Sequence, residues 1–117
     1  MTAQALGAYG EDLAARYLRR RGMALLDRNW RCELGEIDLV LRDARTLVVC
    51  EVKTRRSIAR GTPHEAVGPA KLARLRRLAA RWMLEHDVHA SHVRLDLVAV
   101  VAPHRGAVEI DHVVGIG

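Results

Sequence analysis

Phenylalanine is missing from the chain, and Tyr9, Tyr17, Trp30 and Trp82 are its whole aromatic complement. A single-strand binder that stacks bases on an aromatic platform is therefore not expected. Cysteine occurs only at Cys32 and Cys50, with no CxxC and no disulfide framework, so a disulfide is not expected in a cytoplasmic chain. No P-loop, GxGxxG or HExxH is present, which removes the common nucleotide and zinc-protease readings. The longest apolar run, 97–102, is far too short to span a bilayer. The first residues lack a basic region followed by an apolar core, so no secretory signal is read and the cytoplasm is the expected compartment. Lysine is scarce too: of 19 Lys+Arg, only Lys53 and Lys71 are lysine. In a chain whose default cation is arginine, those two positions invite scrutiny.

What is present suits one globular domain over 1–117. The 117 residues are 50% hydrophobic and 28% charged, without repeat or linker. A net charge of +5 and a pI near 10.0 suit a polyanionic partner, nucleic acid above all. Residues 3–21 read as an amphipathic helix that gathers Leu6, Leu13, Ala14, Tyr17, Leu18 and Gly10 on one side and is closed by Gly22. Gly7 and Gly10 weaken a helix, and close approach to a sheet is the expected reason for both. A strand is predicted over 23–29, a connection over 30–35, and a hairpin from strands 37–42 and 47–53 around the turn 43–46. The stretch 54–68 is basic and irregular, with a capping-box pattern at Thr62-Pro63-His64-Glu65. A second helix starts at Pro69 and runs to about residue 85, with Leu72, Leu75, Leu78, Ala79 and Trp82 on one face. A doubly buried strand over 93–102 and an edge strand over 108–113 complete the order αβββαββ. The long connection between the third and fourth strands implies a right-handed parallel crossover. The expected fold is thus α/β, a mixed sheet of about five strands with helices packed on it.

The hairpin carries the chemistry. A turn centred between Ala44 and Arg45 makes paired residue numbers sum to 89, which sets Asp38 opposite Glu51 with β-carbons about 5 Å apart. Facing carboxylates repel, and a divalent cation between them relieves the repulsion. Lys53, two residues beyond Glu51, projects from the same face. Val48, Cys50 and Val52 point the other way, so Cys50 reads as a small buried hydrophobe. Two carboxylates and a lysine on one strand face suit metal-dependent phosphodiester hydrolysis, with Mg²⁺ or Mn²⁺ as cofactor. A surface ion cluster in which Lys53 merely neutralises Glu51 is the plainer reading of the same residues. Glu11, at the margin of the first helix's apolar stripe, is either a further metal ligand or a solvated boundary residue. Lys71 falls inside the second helix's apolar arc, where it either snorkels or aims at phosphate in the cleft. His86, His89 and His92 look at first like a metal cluster, but lack a rigid four-ligand set and read as solvated. Asp96 shares a strand face with Arg94, either supporting the site or forming an internal ion pair.

The residues Gly7-x-x-Gly10-Glu11-Asp12-Leu13-Ala14, Asn29-Trp30-Arg31, Gly35-Glu36-Ile37-Asp38-Leu39-Val40, Glu51-Val52-Lys53-Thr54-Arg55 and Arg94-x-Asp96 resemble the YraN family of bacterial proteins over about residues 7–102. That family is assigned by similarity to the PD-(D/E)xK nucleases of the restriction-endonuclease-like fold, and its layout is similar to archaeal Holliday-junction resolvases. The resemblance implies a single nuclease domain with Asp38 and Glu51 as metal ligands, Lys53 as the catalytic lysine and Glu11 as the helix-one carboxylate. Ile37 stands where the superfamily often has proline. The function expected is Mg²⁺-dependent cleavage of DNA, branched DNA included. Arg55, Arg56, Arg60 and Lys71 would contact the backbone, and two copies would act as a homodimer. The rivals are a non-catalytic nucleic-acid-binding or protein-interaction module on the same fold, and an RNA nuclease.

Overall fold

The structure is a computed structural model describing residues 1–59, 61 and 67–117. Its order is α1 (Ala3–Arg20), β1 (Ala24–Cys32), β2 (Gly35–Asp43), β3 (Thr46–Arg55), α2 (Pro69–His86), β4 (His92–Val101) and β5 (Glu109–Val113), the αβββαββ order read from the sequence. The five strands form one mixed sheet in the order β1-β2-β3-β4-β5. β3 and β4 pair in parallel and the other neighbours antiparallel, as expected of a helical crossover. The capping box at 62–65 and Arg60 lie outside the described residues.

Each helix covers one face. Ala14, Ala15 and Leu18 of α1 pack on Leu39, Leu41, Val48, Cys50, Val52, Val98 and Val100. On the other face Leu75, Leu78, Ala79 and Trp82 of α2 pack on Ile37, Val40, Leu47, Val49 and Leu95. Thr2 caps α1 by accepting from the Ala5 N–H at 3.0 Å. Gly22, at φ 94°, closes it while Met23 N donates to the Leu18 carbonyl at 3.2 Å. Pro69 opens α2 at its first turn.

Two boundaries are corrected. Thr54 and Arg55, read as the start of the irregular stretch, continue β3 beside Val100 and Val101 of β4. Trp30–Cys32 extend β1 instead of forming a connection, and pair with β2 as Trp30↔Ile37, Arg31↔Glu36 and Cys32↔Gly35. Only Glu33 and Leu34 remain in the turn, and Gly35, at φ 140°, provides the backbone that only glycine adopts readily.

The two α1 glycines part company. A Cβ at Gly7 would meet nothing within 4 Å, so close approach does not explain it. A methyl at Gly10 would overlap Thr54 Oγ1, so Gly10 lets α1 lie directly on the far end of β3 and brings Glu11 to that end. Alanine is worth about 1 kcal/mol over glycine inside a helix. Gly10→Ala should nonetheless lose about 1–3 kcal/mol in urea unfolding, because overpacking against β3 outweighs that gain. Wild-type stability in the variant would contradict the contact.

Candidate metal and phosphodiester site

The hairpin register is the predicted one, from Asp43↔Thr46 to Leu39↔Cys50. There the ladder ends and β2 parts from β3. The side-chain alternation of β2 also slips at this point: Ile37 packs on the α2 side, whereas Leu39 packs on the α1 side. The β1–β2 register passes from Arg28↔Leu39 to Trp30↔Ile37 with no Asn29–Asp38 pair, and Asn29 adopts φ 52°, a left-handed conformation that asparagine tolerates. Asp38 therefore sits in the gap rather than in a regular cross-strand pair. Its Oδ2 accepts the Val52 N–H at 2.8 Å, so a side chain takes the place of the missing ladder bond.

Glu51 and Asp38 are both buried, at 4% and 8% exposure. Glu51 Oε1 lies 3.2 Å from Lys53 Nζ and 3.6 Å from Lys71 Nζ. Both of the chain's lysines thus converge on one carboxylate, Lys53 along β3 and Lys71 from the first turns of α2. Lys71, left open between snorkelling and aiming at phosphate, turns its ammonium toward the Glu51 carboxylate.

Burial first, then the charge of Glu51, push the Asp38 carboxyl up to about 7, against a smaller opposing pull from the Val52 N–H. Glu11 and Glu36 add to the rise. Glu11 is itself raised, by burial before all else, while the Asn29 side chain and Arg28 pull it down. Glu11 thus sits at the α1 margin of the site, close enough to be felt by Asp38.

Among the described residues no group of three or more His, Cys, Asp or Glu side chains gathers as a metal centre. What is gathered is a carboxylate pair. That donor set fits Mg²⁺, a hard ion that commonly uses one or two protein carboxylates and keeps several waters. Glu11 is not drawn into a three-carboxylate cluster. Arg55 is exposed, with Nη1 donating to the Thr54 carbonyl at 3.2 Å. Arg56 is committed elsewhere: its Nη1 donates to the Ala102 carbonyl at 3.2 Å and ties the ends of β3 and β4 together.

Cys50 is fully buried, and burial pushes its thiol well up, so it is the inert hydrophobe expected. The histidines do not form a cluster. His86 ends α2 and stacks on Trp82 at 4.2 Å, while His89 is exposed beside Asp87. Asp96 resolves as an internal ion pair. It is fully buried on the α1 side of the sheet and accepts from Arg94 Nε at 2.9 Å, Arg94 Nη2 at 3.0 Å and the Gly115 N–H at 3.1 Å, with His112 Nε2 at 2.7 Å. Burial alone would raise this carboxyl, but Arg94, the Gly115 N–H and His112 together hold it below the usual range. Its place is in fastening β5 and the tail to β4, on the face away from Glu51. Asp96→Ala should therefore cost about 3–5 kcal/mol in chemical unfolding, since it leaves Arg94 and His112 without their buried partner. A loss below about 1 kcal/mol would contradict that role.

Asn29 is the residue that reading the sequence left without a role: its side chain bonds Glu11, and its one visible signal was its place in the Asn29-Trp30-Arg31 motif.

Residues 10–100 match the family described as "Uncharacterised protein family UPF0102". A UPF0102 protein of Nocardioides sp. is 65% identical over 114 residues, covering 97% of this chain and 92% of its own length. One from Beutenbergia cavernae is 58% identical, covering 97% and 96%, and one from Streptomyces griseus is 56% identical, covering 96% and 95%. Among the described residues no helix is long and apolar enough to cross a membrane.

Proposed function

The chain belongs to the UPF0102 family, the YraN family, and from that premise and the site's geometry we propose a metal-dependent endonuclease that hydrolyses phosphodiester bonds in DNA. The observation that carries the reading is the buried carboxylate pair with both lysines turned onto its Glu51 member. Burying two carboxylates side by side destabilises the fold, and the Val52 N–H bond that Asp38 accepts needs only a neutral carbonyl oxygen, not a second charge. Asp38 and Glu51 would hold the ion. Bound there, Mg²⁺ or Mn²⁺ supplies Lewis acidity toward the phosphodiester and its attacking water. Lys53 Nζ, anchored on Glu51, offers its remaining protons toward that water or toward charge developing on the phosphate. Lys71 offsets the negative charge of the pair from the opposite wall. The Asp38 bond to Val52 N–H fixes its carboxylate before substrate arrives. Cutting both strands of a branched molecule needs two such sites, so a homodimer is part of this proposal.

The experiment is cleavage and binding measured side by side on linear, nicked and branched DNA with Mg²⁺ or Mn²⁺. Cutting of one of these substrates by the wild type, abolished in Glu51→Gln, supports the reading. Tight binding with no cutting by either metal would transfer the protein to the non-catalytic rival. On the binding side, Arg55→Ala should weaken association and lower the slope of log affinity against log salt by about 1, one phosphate contact's worth. An unchanged slope would remove Arg55 from the interface. Arg56 is not interchangeable with it, because its bond to Ala102 makes substitution a matter of stability.

A further inference from the structure

The arginines of the two helices are placed by opposite logic. In α1, Arg19 and Arg20 occupy the last turn, where a cation complements the negative end of the helix dipole. In α2, Arg74, Arg76 and Arg77 crowd the first half of the helix, toward its positive end, and the first turn holds no acidic residue. Arg74 follows Lys71 and precedes Arg77 at i,i+3, and Arg77 precedes Arg81 at i,i+4, so like charges are neighbours on the helix surface, which local helix stability disfavours. Among the described residues none of the three has an ion-pair partner, whereas Arg81, the next cation along, is held by Glu33 at 2.7 Å and Glu85 at 3.2 Å.

Two of the three lie in a row with Lys71. Lys71, Arg74 and Arg77 follow an i, i+3, i+6 spacing, so each step rises about 4.5 Å along the helix and turns about 60° from the buried side outward. The row begins at Glu51, which Lys71 approaches at 3.6 Å. It continues over the β1–β2 turn, where the Arg74 Cδ lies 3.4 Å from the position of a Cβ on Gly35. It ends at the exposed Arg77. Arg76 falls off the row, one turn from Leu72, which packs near Gly117 on the tail side.

We propose that Arg74 and Arg77 form a cationic track, continuous with Lys71, that holds the phosphate backbone of duplex DNA as it leaves the Asp38/Glu51 site. The proposal rests on the nuclease reading for its direction. The chemistry of recognition is backbone charge alone. The row covers about 9 Å of helix axis, against one duplex charge per about 1.7 Å of its own axis. Arginine suits this task because its planar fork meets phosphate oxygens in pairs. The stem of Arg74, lying over Gly35, is partly ordered before DNA arrives, which lowers the entropy lost on binding.

The test is fluorescence anisotropy of a labelled DNA duplex over a salt series, with thermal melts to confirm folding. The variants are the double Arg74→Ala/Arg77→Ala and the charge-matched control Arg19→Ala/Arg20→Ala. The track predicts that the α2 double binds at least about tenfold more weakly and loses about 2 from the log–log salt slope, while the α1 double keeps nearly the wild-type slope. Equal losses in both doubles would mean that net charge alone is felt, and would overturn the track. So would an α2 double that binds like wild type, even if the wild type cuts DNA. A wild type that binds duplex through Arg74 and Arg77 but cuts nothing would keep the track and sink the nuclease reading. A wild type that does not bind duplex overturns the track outright.

Discussion

Lys53→Ala should bind DNA within a few-fold of wild type and cut it about 10²–10³-fold more slowly, the loss typical of removing one preorganised group that acts on transition-state charge or proton transfer. The side chain is placed for that. It leaves β3 two residues beyond Glu51, is 26% exposed, and holds its ammonium 3.2 Å from Glu51 Oε1. It neighbours the carboxylates without belonging to the donor set, so its removal leaves the oxygens that would hold the ion intact. In the proposed complex ground-state binding would come from other cations, Arg55 and the α2 row, so affinity and rate should separate. Lys71 still faces Glu51 in the variant, which keeps the buried carboxylate partnered and the protein folded. Cleavage by Lys53→Ala at the wild-type rate would assign any activity to another site, and a parallel loss of binding would make Lys53 a docking residue.

Asp38→Asn should stabilise the metal-free protein above neutral pH. In the wild type, burial and Glu51 raise the Asp38 carboxyl from about 3.8 unfolded to about 7 folded. The folded state thus binds more protons between those values, and stability falls as pH rises through that window. The contribution is complete below about 4 and gone above about 7. The ceiling on the loss is about 4 kcal/mol, at about 1.36 kcal/mol per unit. Asparagine keeps a carbonyl oxygen that accepts from Val52 N–H but carries no charge, so the variant should unfold at higher urea than wild type at pH 8 and show little pH dependence there. Divalent cation should reverse the order. Mg²⁺ held at the site should stabilise the wild type by mass action, about 2.7 kcal/mol at a hundredfold excess over its dissociation constant, and leave the variant nearly unmoved. Identical urea midpoints from pH 5 to pH 8 in wild type and variant would show that Asp38 is not under the strain described.

Much of this site was legible because it is local. The turn at Ala44–Arg45 fixes the hairpin register, and register by itself puts Glu51 and Lys53 on one face and Cys50 on the other. The apolar stripes of both helices were legible by the same periodic logic. The contribution of Asp38 was only half legible. Its position followed from the register, but the slip in alternation between Ile37 and Leu39, and the turn of its carboxylate onto Val52 N–H, depend on β2 parting from β3. Trp30–Cys32 read as a connection because a glycine and charged residues follow them, yet pairing with Gly35–Ile37 overrides that local preference. Lys71 reaching Glu51 is a tertiary contact across a crossover, and no periodicity specifies it. Gly7 and Gly10 look alike in sequence, and only the packing of α1 on Thr54 tells them apart.

The central claim is that Asp38 and Glu51 together hold one divalent ion, and calorimetric titration of Mn²⁺ into the nucleic-acid-free protein at pH 7, repeated in buffers of different ionisation enthalpy, tests it most directly. With burial and Glu51 pushing Asp38 up to about 7, the empty site holds a proton that an ion must displace, so filling it should release protons. The account predicts one ion per chain with that proton release, and loss of both in Asp38→Asn and Glu51→Gln. No saturable binding by the wild type, or undiminished binding by the two variants, would contradict it.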